Sequence, residues 1–168
     1  MSATTPRSFT ERLTGAAMLN IDVYEEVEHD SSATVQAGGV VAMVAVASAI
    51  GGIADGAAGV IGAILASIVG WIMWAGITYL IGDKLLGGTA TWGELLRTLG
   101  FAQAPGILLM LTVLPFVGSI MLLVVGIWLL FTGVVAIRQA LDFGTGRAIA
   151  TALLGLIPYL ALRAFVGV

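Results

Sequence analysis

Three constellations in the sequence have residue types that chemistry needs. "EVEH", Glu26 to His29, has the Glu-x-x-His spacing that sets a carboxylate and an imidazole on one helix face, as in carboxylate-bridged di-iron sites. Such a site needs two copies and further glutamates, and the chain holds a single histidine. Only a dimer could complete it, so a solvated acidic face is the plainer account and no metal or cofactor is expected. A Ser-His-Asp relay fares no better, because Ser48, Ser67 and Ser119 fall in apolar stretches or at their edge while His29 falls in a polar one. The third pair is Asp55 and Arg163, expected on the same side of a membrane. A contact between them would clamp a hairpin to the last helix, with Arg163 close enough to an end to snorkel. Transporters usually place ionisable groups within a span, and none lies so here. No catalytic residue is nominated, and the chain is expected not to be an enzyme.

The elements that carry these residues belong to a lipid-embedded protein. Of 168 residues, 59% are hydrophobic and 10% charged, with mean hydropathy +1.06. An average soluble domain is about 45–50% apolar and about 25% charged. The net charge of -3 and the lack of any Lys/Arg block exclude nucleic acid as a partner. Cysteine is absent, which removes disulfides, thiolate ligands and thiol nucleophiles. Residues 1–34 are polar and acidic with no early apolar core, so no cleavable signal peptide is expected and an internal span must drive insertion.

A hydrocarbon layer of about 30 Å asks for roughly 20 apolar residues per helix. The pattern predicts an all-α membrane protein with five transmembrane helices, at about 37–54, 57–81, 94–114, 117–137 and 147–166. The third and fourth come from one uncharged block, Leu99 to Ile137, which must fold back at "LPFVGS" because proline, glycine and serine break one helix and start another. Basic residues set the orientation. With the amino terminus inside, Arg7, Arg12, Lys84, Arg97, Arg138 and Arg147 are cytoplasmic and only Arg163 is not. The carboxyl terminus is then outside, and residues 35–168 form one membrane domain behind a cytoplasmic segment, 1–34.

That segment carries capping-box patterns, Ser8 with Glu11 and Asp22 with Glu25, which predict two short helices. Phe9, Leu13 and Ala17 share a face of the first, suited to the membrane surface or to the protein's own inner loops. The second is expected to present Glu25, Glu26, Glu28 and Asp30 to water, standing clear of anionic headgroups or meeting a basic partner. Arg138 with Asp142, and Glu94, Arg97 and Arg147 nearby, are expected to close the inner face of the bundle.

Small residues mark helix-packing faces: Ala58, Gly62, Ala66 and Gly70 recur at every fourth position of the second span, and Gly126 and Gly133 lie at heptad spacing in the fourth. The third span is interrupted. Pro105 removes a backbone donor and frees the carbonyl of Phe101, Gln103 lies on the same turn, and Pro115 closes the span. In lipid those groups need partners, so Gln103 and Pro105 should face protein or a wet crevice, which Gln36 and Gln139 could also line.

Residues 87–155, from "GGTATWGELLRTLGFAQAP" through "IWLLFTGVVAIRQAL" to "TGRAIATALLG", resemble the second half of bacterial Yip1-domain proteins, and the similarity extends over about residues 10–168. The resemblance implies a five-span, N-in protein of the bacterial inner membrane and supplies no catalytic residues. The eukaryotic relatives' Asp-Leu-Tyr-Gly-Pro signature, associated with Rab GTPases and vesicle traffic, does not occur. The expected role is membrane organisation through packing with lipid, with itself or with other integral membrane proteins. The alternatives are an accessory subunit of a respiratory or photosynthetic complex and a permease for a small or lipid-like molecule.

Overall fold

A computed structural model describes residues 7–166, with side chains for all of these except residue 159 and residues 162–166. The polar amino-terminal stretch folds into two short helices whose starts are set by side chains. Helix α1, Phe9–Ala17, begins at the predicted box: Ser8 N–H donates to Glu11 Oε2 at 2.7 Å and Glu11 N–H to Ser8 Oγ at 3.3 Å. Helix α2, Ile21–His29, begins differently. Its cap is Asn20, whose Oδ1 accepts the Asp22 N–H at 3.0 Å, so the expected Asp22–Glu25 box does not form. Asp22 lies instead inside the first turn, where a negative charge still suits the positive end of the helix dipole.

Helix α3, Ala33–Gly51, ends in a 3-10 turn, Gly52–Asp55, and Gly56 takes φ 71° before α4, Gly56–Thr78, returns. The two arms lie side by side. A Cβ on Gly100 would stand 2.8 Å from that of Ala37 and 3.3 Å from Trp71 Nε1, which puts the start of α3 and the later part of α4 at one level. Helix α4 continues as a π-helical segment, Tyr79–Leu85, where Gly82 leaves room for Leu141.

Helix α5, Trp92–Ala102, opens on a second capping box, Thr91 with Glu94, and passes at Gln103 into a 3-10 helix, Ala104–Val113, bent from it by 42°. Residues 114–117 reverse the chain into α6, Gly118–Ala140, and α7, Thr145–Val166, is the last described element. The 3-10 segment climbs along α3: Gly100 faces Ala37, Gly106 faces Val44, and Thr112 faces Gly51.

The tightest core sits where α2, α5 and α6 meet, with Tyr24, Val27, Leu95, Phe101 and Ile137 all buried. The outward flank of α6, by contrast, exposes Leu122, Leu123, Ile127 and Phe131. Contiguous apolar surface of that kind belongs to a protein in lipid. By length and composition two helical runs can cross a membrane, Ala33–Leu85 and Gly118–Ala140, and a third if the bent pair Trp92–Ala102 and Ala104–Val113 counts as one. The first run is itself folded at Gly52–Asp55, and α7 is apolar over a shorter stretch, Thr145–Pro158. Among the described residues there is no strand.

Candidate functional site

Two places combine polar groups with shape: the break at Gln103 and the amino-terminal cap. At the break, the last carbonyls of α5 lose helical donors because Pro105 has no N–H. Ala102 O is taken by Thr132 Oγ1, donating from α6 at 2.7 Å, and Gly106 N–H donates to Gln103 O at 2.7 Å. One turn earlier, Trp71 Nε1 donates to Leu96 O at 3.0 Å. Pro105 and Gly106 are buried, and a Cβ on Gly106 would stand 2.9 Å from Val44 Cγ1. The break therefore faces protein on one side. On the other, the half-buried Gln103 side chain makes no hydrogen bond within the described protein and borders a cleft of about 650 Å³.

The cleft runs between α3, α4, α6 and α7. Ala66 and Gly70 border it from α4 and Gly126 and Gly133 from α6, so four of the six small residues noted in the sequence come together on it. A Cβ on Gly126 or Gly133 would meet nothing within 4 Å. Ala58 is exposed, and Gly62 also faces open space; neither borders the cleft. Pro115 is exposed in the 114–117 reversal. Gln139 lies elsewhere: its Nε2 donates to Glu25 Oε1 at 3.0 Å, while Gln36 Oε1 accepts from Arg12. The three glutamines thus line no common crevice, because Gln36 and Gln139 serve the cap while only Gln103 sits at the break. Asp55 is exposed and makes no capping bond to α4. Its contact with Arg163 lies outside the described residues.

The cap is built on arginines. Arg12 is 2% exposed and spreads its guanidinium over three acceptors: Glu26 Oε1 at 3.0 and 2.7 Å, Asp30 Oδ2 at 2.7 Å and Gln36 Oε1 at 3.0 Å. Arg7 reaches Glu26 Oε2 at 2.5 Å. Burial works to lower the Arg12 pKa, and its bonds to Glu26 and Asp30 more than offset that. Glu26 loses ground to burial too, yet the two arginines hold its carboxyl below the ordinary range; Ser32 and then Arg12 do the same for Asp30. From α5, Arg97 donates to the carbonyls of Val27 and Glu28, satisfying the end of α2 as a cation should. The acidic helix does not stand clear in water. Its basic partner is the chain's own Arg7, Arg12 and Arg97.

Glu28 is the exception among these carboxylates. It is 7% exposed, its carboxyl has no hydrogen-bond partner within the described protein, and burial pushes its pKa up to about 7. His29 opposes that rise, while Asp142, Glu94 and Glu25 add to it. The Glu26–His29 pair is not assembled as a ligand set, since Glu26 belongs to the arginines and the exposed His29 ring bonds Glu25 O at 2.8 Å. Among the described residues no group of three or more metal-ligating side chains comes together. The expected Arg138–Asp142 pair also fails to form: Asp142 takes φ 52° past the end of α6 and accepts from Thr89 at 2.7 Å. Arg147 stacks on the Phe143 ring at 4.0 Å, and Glu94 is held in the Thr91 box.

What the sequence missed here is Arg12, Arg97 and Glu28. Arg12 shares a face with Ala16, both buried, a spacing available to inspection. Arg97 had no such signal, because its partners are backbone carbonyls.

No curated protein and no solved structure matches this chain. A family model described as "Yip1 domain" matches residues 24–166, from the buried Tyr24 of α2 to the last described residue of α7. With well over half of its length so matched, the chain belongs to the Yip1 domain family.

Proposed function

We propose that this Yip1-domain protein is a non-enzymatic membrane organiser that crosses the bilayer five times and holds lipid in the cleft beside Gln103. The crossings are α3, α4 with its π-helical extension, the bent pair α5 and 104–113, α6, and α7. Residues 1–34 form the cytoplasmic cap and 35–168 the membrane domain, with the carboxyl terminus outside, in a bacterial inner membrane. The positive-inside count supports that orientation.

The observation that carries the proposal is the cleft itself. Its small-residue walls, Ala66 and Gly70 opposite Gly126 and Gly133, leave about 650 Å³ unfilled by protein. Apolar cavities do not hold water without several polar partners, and beside Gln103 the cleft offers the hydroxyls of Ser48 and Ser67, the latter already bonded to Ala63 O, in an otherwise largely apolar lining. In a bilayer the molecule that fills such a space is an acyl chain, and its headgroup end remains free to be selected by neighbours.

Native mass spectrometry of the protein released from membranes in mild detergent tests this. The expected result is retained lipid, reduced in Gly126→Leu and Gly133→Leu, whose side chains enter open space and fill the cleft. A lipid-free protein, or lipid retention indifferent to both substitutions, overturns it.

A further inference from the structure

The turn joining α1 to α2 presents apolar side chains to the surroundings of the protein. Met18 is 79% exposed, Leu19 37% and Ile21 38%. Leu19 adopts φ 61°, a conformation that glycine or asparagine takes with less strain, and the chain nevertheless carries leucine there. The turn is anchored at a definite height. Trp128 Nε1, from α6, donates to Ala17 O at 2.7 Å. Trp128 lies twelve positions before the end of α6 at Ala140, about 18 Å at 1.5 Å per residue. Midway along α2, Glu25 is tied lower on α6, where Gln139 donates to it. Helix α2 thus rises along α6 from its last turn, and the α1–α2 turn sits beside the apolar length of α6 rather than beyond its end.

The neighbours of that turn are lipid-facing. Ile127 and Phe131 flank Trp128 on α6 and are 47% and 61% exposed. Tryptophan is also the side chain that membranes concentrate at the headgroup boundary, ring in the apolar layer and N–H towards a polar acceptor. Asn20 and Asp22, exposed between and after the apolar residues, mark how far the turn enters.

We propose that Met18, Leu19 and Ile21 insert into the leaflet on the amino-terminal side of the bilayer, making the α1–α2 hairpin an interfacial anchor for acyl chains. Asn20 and Asp22 stay at headgroup level. The exposed charges beside the turn, Glu11, Asp22 and Glu25, give no attraction to anionic lipid, so the anchor works by apolar burial. The inference rests on α6 being a membrane crossing, as proposed above.

The absence of cysteine permits a direct test. Single variants Met18→Cys, Glu11→Cys and Leu123→Cys of the full chain are spin-labelled and reconstituted in phosphatidylcholine vesicles. All three side chains are exposed; Glu11→Cys gives up the Ser8 capping bond at the start of α1, two turns from the α1–α2 turn, and Met18→Cys and Leu123→Cys remove no hydrogen bond. Collision with oxygen is compared with collision with a water-soluble nickel chelate. The expected oxygen-to-nickel ratio at position 18 exceeds that at position 11 severalfold and approaches that at 123. A label at 18 that is nickel-accessible like that at 11, with 123 still in lipid, overturns the anchor alone. A label at 18 shielded from both reagents assigns the turn to a protein contact and overturns it as well. A nickel-accessible 123 removes the crossing and the anchor together.

Discussion

At the capped end of the bundle, polar side chains carry the architecture. Arg12 joins α1, α2 and α3 through Glu26, Asp30 and Gln36, Arg97 ties α5 to the end of α2, and Gln139 ties α6 to Glu25. Around the cleft the helices are held mainly by shape, with Thr132 on Ala102 O and Trp71 on Leu96 O bonding between helices. The glycines show the same division. Gly100 is in contact with Ala37 and Trp71, whereas Gly126 and Gly133 face open space. One end of the molecule is specified by satisfied charges and close packing, and the other is left adjustable. An occupant whose length and saturation vary suits the second condition and not the first.

Removing Arg12 should break the comparison most severely. Arg12→Ala leaves Glu26 and Asp30 without their buried counter-ion, an effect of about 4 kcal/mol on docking of the cap. Hydrogen exchange of the α1 and α2 amides is the measurement, and α6 should keep its protection. Next is pH. Glu28 binds its proton up to about pH 7 in the folded state and up to about 4.5 when exposed, so docking weakens as pH rises through that window and levels off above it. Glu26 and Asp30, held low, act in the opposite sense and weaken docking only as pH falls below the ordinary carboxylate range. Glu28→Gln should flatten the profile between pH 5 and 8 and stabilise docking at pH 8 by up to about 3 kcal/mol.

The glycine pair sharpens the contrast. Gly100→Ala places a methyl group 2.8 Å from Ala37 Cβ and should cost about 2 kcal/mol in thermal unfolding. Thr132→Val, which strips the donor from Ala102 O, should cost about 1 kcal/mol, in line with hydrogen bonds between helices in lipid. Gly133→Ala should be the smallest effect and of opposite sign, a gain of about 0.5 kcal/mol from better helix propensity with no clash. Equal losses at Gly100 and Gly133 would erase the distinction between the two regions.

The sequence displayed these regions unequally. Apolar stretches, the Ser8–Glu11 box and the "LPFVGS" reversal could be read directly, because each depends on residues close together in the chain. The Thr91–Glu94 box carries the same signature within "TATWGE", masked by the glycines around it, which point to a loop. The partnership of Arg12 with Glu26 and Asp30 depends on a left-handed Leu19 that folds α1 back on α2, and Arg97 binds carbonyls that any residue could have supplied. The small residues of α4 and α6 were visible as faces. Whether such faces close on each other or stand apart is decided by where α7 and the 3-10 segment hold the helices, which their own spacing does not encode.

The 3-10 segment 104–113 works as a length gauge. A 3-10 helix rises about 2.0 Å per residue against 1.5 Å in an α-helix. That difference is why six residues of the segment, from Gly106 to Thr112, keep pace with seven of α3, from Val44 to Gly51. Rewound as an α-helix, its ten residues would shorten by about 5 Å. Pro115 and Phe116 would be drawn back along α3 and the step-for-step match with it lost. The stretched winding therefore sets how far along α3 the 114–117 reversal lies, and with it the height at which the cleft opens.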